Sequence, residues 1–97
     1  MAALNTNDSH STTTAVVTIR IPCSTDGGLI ADAEERFSRI EHVDAVTIDE
    51  LHSIDPRLSA TVITVDITVR WISMMTAEEI SEQLAEVSGL ESIQRIG

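Results

Sequence analysis

From Thr61 to Trp71 the chain alternates. Thr61, Ile63, Val65, Ile67, Val69 and Trp71 fall on one side of an extended backbone, and Val62, Thr64, Asp66, Thr68 and Arg70 fall on the other. A helix would scatter the first set around its circumference, whereas a strand sends successive side chains to opposite faces. The run is also rich in β-branched residues, whose stiff side chains suit a pleated surface. The pattern predicts a long strand over 59–72 with one dry face and one wet face. At about 3.3 Å per residue its alternating part spans roughly 35 Å, so the rest of a small domain must be arranged along it.

The other segments follow by the same logic. In 15–21, Val17, Ile19 and Ile21 alternate with Val16, Thr18 and Arg20, a first strand that Pro22 should end because proline has no donor for the ladder. Cys23 to Gly28 has the Ser, Thr, Asp and Gly content of a turn. Ile30, Ala33, Phe37 and Ile40 recur at helical spacing and predict a helix over 29–41. A second strand is expected over 44–51 with Val46 and Ile48 inward, then a loop over 52–58 around Asp55-Pro56. Thr76-Ala77-Glu78-Glu79 has the form of a capping box, and Ala77, Ile80, Leu84 and Val87 make the stripe of a second helix that Gly89 closes. Leu90–Ile96 completes the chain as a last strand. The polar stretch 1–14 shows no periodicity and is expected to be a disordered N-terminal tail, leaving 15–97 as one domain.

The predicted order is strand, helix, strand, strand, helix, strand. A shift of 47 residues superposes Ala33 on Ile80, Phe37 on Leu84, Ile40 on Val87, Val43 on Leu90 and Val46 on Ile93. Two such halves make a split βαβ repeat. The expected fold is therefore α+β: an antiparallel sheet of order 4-1-3-2, with right-handed crossovers placing both helices on one face.

Charge narrows the partners. The chain has 16 acidic residues, six arginines, no lysine and a net charge of −10. Such a surface repels phosphate backbones and anionic membranes, so neither nucleic acid nor membrane is expected as a partner. A high-salt cytoplasm and a GC-rich genome would each produce this balance. Self-repulsion should weaken the fold at low ionic strength, and added salt should raise the melting temperature by screening it. Cys23 is the single cysteine, which excludes an internal disulfide. No apolar run reaches membrane-span length and no secretory signal pattern is evident, so a cytoplasmic protein is expected.

From Ala15 to Gly97 this order of elements resembles the ferredoxin-like βαββαβ superfold. Within it, Asp26-Gly27-Gly28-Leu29-Ile30 between first strand and first helix looks like the glycine turn of ACT regulatory domains. That resemblance implies a dimeric module holding a small anionic or zwitterionic effector at Asp26, Gly27, Gly28 and Leu29. The rhythm from Ala33 to Ile48, with Val43-Asp44-Ala45-Val46 leading into a strand, is similar to heavy-metal-associated domains. Those carry two cysteines in the first loop, where this chain has Cys23 alone.

Candidate chemistry is sparse. Cys23, His10, His42 and His52 are the soft ligands, but one thiolate without a second is a poor metal site, and His42 and His52 are expected at opposite ends of the second strand. A helix N-terminus would activate the Cys23 thiol, but Asp26 nearby would oppose it. No catalytic residues, metal or cofactor are therefore expected, and the chain reads as non-enzymatic. The wet face of the central strands offers Thr18, Arg20, Thr64, Asp66, Thr68 and Arg70, flanked by Val16 and Val62, as an interaction face. Arg20, Asp66 and Arg70 are expected to pair across strands. Two readings remain: an ACT-like effector module, or a module that binds a homodimer mate or protein partner through that face or an edge strand.

Overall fold

The computed structural model describes residues 9–22 and 28–96. Six elements follow one another: β1 (Ser9–Pro22), α1 (Leu29–Ser38), β2 (Val43–Pro56), β3 (Ala60–Thr76), α2 (Ala77–Ala85) and β4 (Leu90–Ile96). The strands form one antiparallel sheet of order β2-β3-β1-β4, the expected 4-1-3-2. Val17, Ile19 and Ile21 of β1 and Ile63, Val65, Ile67, Val69 and Trp71 of β3 form the core with Ala33 and Phe37 of α1 and Ile80 and Leu84 of α2. Two helices thus cover one face of the central strands, and the other face is left open.

α2 begins as its sequence requires. The Thr76 hydroxyl accepts from the Glu79 amide at 3.1 Å, and the Glu79 carboxylate accepts from the Thr76 amide at 2.9 Å. Gly89 takes φ +88° and accepts from the Arg20 amide at 2.8 Å, which ties the start of β4 to β1. A Cβ there would collide with the Arg20 carbonyl, so two reasons hold the position to glycine.

Boundaries differ from expectation in three places. The expected tail is corrected over its last residues, because β1 starts at Ser9 and the buried Thr13 hydroxyl accepts from the Trp71 indole N–H at 3.0 Å. Residues 1–8 of that tail lie outside the described residues. A polar Ser/Thr run carries no apolar alternation, yet the unusually long β3 supplies it with a backbone to pair. α1 ends at Ser38 rather than 41, with His42 in the left-handed region at φ 71° before β2. β2 continues to Pro56, through most of the expected loop.

That last difference has a physical cause. In β2 the inward residues Ile48, Leu51 and Ile54 face Ile67, Val65 and Ile63, although they lie three apart in sequence rather than two. The strand absorbs the extra residues in register shifts at Val43/Ala45, Ile48/Glu50 and Leu51/Ser53. Each is a bulge that sets two residues of β2 against one of β3. β4 does the same, with Leu90, Ile93 and Ile96 facing Ile19, Val17 and Ala15 across shifts beside Thr18/Ile19 and Val16/Val17. The two sequence halves therefore share more than a hydrophobic rhythm: Val43 and Leu90, superposed by the repeat, each open a bulged edge strand.

Candidate functional site

The open face is built from the middle outwards. β1 contributes Val16, Thr18 and Arg20, and β3 contributes Val62, Thr64, Asp66, Thr68 and Arg70. Each bulge then sends a pair of polar or small residues to the same face: Asp44 and Ala45, Asp49 and Glu50, His52 and Ser53 from β2, and Glu91 and Ser92, Gln94 and Arg95 from β4. Both margins carry more side chains on this face than regular strands would, and several reach the central strands. Val16, Thr18, Thr64, Asp66 and Thr68 are consequently only half-exposed, and Val62 is buried.

Contacts run from margin to centre. The Gln94 amide donates to the Thr18 hydroxyl at 2.9 Å, and the Thr18 and Thr64 hydroxyls share a hydrogen bond at 2.9 Å. The Thr68 hydroxyl donates to the Asp49 carboxylate. His52 Nε2 lies 3.0 Å from Asp66 Oδ1, Arg20 lies 3.6 Å from Glu91, and Arg70 lies 3.9 Å from Asp44. The expected pairing among Arg20, Asp66 and Arg70 is therefore corrected. In the antiparallel register Arg20 sits opposite Val62, Asp66 opposite Val16 and Arg70 opposite Thr12, so each charge finds its partner on an edge strand.

A shallow depression of about 510 Å³ opens over this centre, lined by Val16, His52, Thr64, Asp66, Gln94 and Arg95. The hydrogen bond to Asp66 raises the His52 pKa above its ordinary 6.5; the Asp66 and Glu50 charges add to this, and partial burial and Arg95 oppose it. His52 and Arg95 belong to opposite edge strands and both line the depression, as facing walls of one trough.

His52 is also placed differently from expectation. It stands inside β2, not beyond its end, because the bulges keep the chain extended past Leu51. With Glu50 and Asp66 it forms a group whose ligand atoms lie within 4.8 Å of one another. Those donors suit a borderline divalent ion, although the His52–Asp66 hydrogen bond alone accounts for their convergence. The one sequence signal near the group is the three-residue spacing of Ile48, Leu51 and Ile54, which a strand can keep on one face only with bulges between them.

Of the expected effector turn, Cys23, Asp26 and Gly27 lie outside the described residues. Gly28 precedes α1 at φ 90°, and a Cβ on it would meet no described residue within 4 Å. Leu29 packs against the core on the helix side. Leu29 thus lies on the helix side, whereas Thr18, Arg20, Thr64, Asp66, Thr68 and Arg70 share the opposite face.

No family model, no curated protein and no solved structure matches this chain. Among the described residues, no helix is long and apolar enough to cross a membrane.

Proposed function

We propose that this chain is a non-enzymatic binding module of the ferredoxin-like βαββαβ type that takes a protein partner on its open sheet face. The observation that carries this reading is how charge is arranged there. The central groups Val16, Thr18, Val62 and Thr64 are uncharged, Asp66 is paired with His52, and Glu50, Arg95, Arg20, Glu91, Asp44 and Arg70 stand toward the perimeter. Protein interfaces have this anatomy: a centre depleted of charge inside a polar rim. Addition of a strand at an edge is disfavoured, because bulged strands present a broken, twisted row of amides and carbonyls.

A photo-crosslinking residue at Thr64 in the intact chain, expressed in its own cells, should yield a discrete protein adduct. The same residue at the exposed Glu82 of α2 should not. Adducts at Glu82 with none at Thr64 would overturn the assignment.

A second reading is ACT-like. That no described residue lies within 4 Å of where a Gly28 Cβ would stand supports room for a small anionic or zwitterionic effector at the turn before α1. A thermal-shift series with free amino acids and nucleotides should then show stabilisation that Gly28→Val abolishes and Thr64→Arg retains. Shifts that survive Gly28→Val would exclude the turn.

A further inference from the structure

We infer that the partner of the open face is a second copy of this chain, docked face to face about a two-fold axis parallel to the strands. This rests on the reading of that face as a binding surface and specifies its occupant. The decisive feature is a single row across the sheet. Glu50 of β2 sits opposite Asp66 of β3, Asp66 opposite Val16 of β1, and Val16 opposite Arg95 of β4. The row is acidic at one end and basic at the other.

Its two terminal charges are the free ones. Arg20, Arg70 and Asp66 are engaged with Glu91, Asp44 and His52, and Asp49 accepts from Thr68. Glu50 and Arg95 make no ion pair among the described residues, and both are exposed.

Symmetry decides how two such faces meet. A two-fold axis along the strands preserves height and exchanges left for right, so β2 of one copy lies over β4 of the other and β3 over β1. Glu50 of each copy then faces Arg95 of its mate, twice per dimer, as an isologous contact requires. In the neighbouring row, Ser53, Thr64, Thr18 and Ser92 are opposed in turn, so hydroxyls meet hydroxyls. An axis running across the strands would instead set Glu50 over Glu50 and Arg95 over Arg95. Like charges so placed repel, and the register thus favours the axis along the strands.

Size and net charge are compatible with this arrangement. At about 3.3 Å per residue and about 4.8 Å between strands, the paired lengths of the four strands offer a sheet face of roughly 700 Å², within the roughly 600–1,000 Å² per partner of a standard interface. Each copy carries −10. At physiological salt the Debye length is about 8 Å, so the distant charges are screened while the apposed row is not.

The test is sedimentation equilibrium of the full chain over a concentration series. Wild type should dimerise. Arg95→Glu and Glu50→Arg, both exposed and outside the core, should each weaken self-association by about tenfold or more while leaving the thermal melt cooperative. An equimolar mixture of the two variants should associate as wild type does, because every altered charge then meets its opposite. Wild type that stays monomeric, single variants that dimerise normally, or a mixture that fails to recover would each overturn the inference. A monomer that still crosslinks through Thr64 to a different protein removes the self-partner alone. A monomer with no Thr64 adduct removes the open-face reading as well.

Discussion

The two central strands and the two edge strands solve the same problem by different means. β1 and β3 bury one side chain in two, over paired runs with no register shift from Thr12 to Pro22. β2 and β4 turn roughly one side chain in three toward the core side and absorb the surplus in bulges. In the centre every inward group meets helix and sheet, and Val17, Ile19, Ile63, Val65 and Ile67 have no exposed surface. At the edges the inward groups are only partly covered, and Leu51 and Ile54 remain 38% and 50% exposed. What the edges lose in burial they return as extra, mostly polar side chains on the open face. The bulges thus blunt strand addition at the margins and supply the side chains of the candidate binding surface.

Deletions should separate the two kinds of strand most sharply. Removing Thr64 from β3 reverses the facing of every residue beyond it and would turn the core face toward solvent. Loss of cooperative unfolding by circular dichroism is the expected outcome. Removing Gln94 from β4 converts a bulge into plain alternation, with Ile93 in, Arg95 out and Ile96 in. That variant should fold, lose the hydrogen bond to Thr18 and aggregate more readily on heating, since one of the two bulges that blunt its edge is gone. Equal damage from both deletions would mean that the bulges are not where the register places them.

Cavities give the next largest contrast. Ile67→Ala in the centre should cost about 2–5 kcal/mol in denaturant melts, and Ile48→Ala, its partly buried neighbour in β2, roughly half of that. The glycines ask how firmly an edge is tied to the centre. Gly28→Ala meets no described residue within 4 Å, so its cost comes from the backbone at φ 90° and ψ 164°, a region almost exclusive to glycine, and should be about 1–3 kcal/mol. Gly89→Ala should cost more, because its Cβ also drives against the Arg20 carbonyl where β4 joins β1.

The smallest expected effect is the pH dependence of the His52–Asp66 link between β2 and β3. The folded-state pKa of His52 is raised above its ordinary 6.5. Protonated His52 is therefore favoured by folding, and its contribution is complete below 6.5 and lost as pH rises through the raised value. The melting temperature should fall slightly across that window, and Asp66→Asn should flatten the change. An imidazole titration by NMR that shows the same midpoint in wild type and Asp66→Asn would remove the link.

The strand order, the helix-covered face and the capping box were legible because each is written in local chemistry: a period of two in 61–71, a period near 3.6 in Ala33 and Phe37 and in Ile80 and Leu84, and Thr76 three residues before Glu79. The edges were harder to read, because Ile48, Leu51 and Ile54 at a spacing of three fit neither period. Only pairing with a neighbour shows where the surplus residue goes. For the same reason the Glu50, His52 and Asp66 group and the far-placed Arg95 were hidden, whereas the central half of the open face, from Thr18 to Arg70, was not.

By itself, the sequence determined which segments extend, which coil and which sides are dry, since side-chain periodicity acts within each segment. Tertiary structure decided three further things: that a polar run from Ser9 becomes strand, where the bulges fall, and which charges share a row. Those depend on a partner strand supplying hydrogen bonds, and no residue carries that information alone.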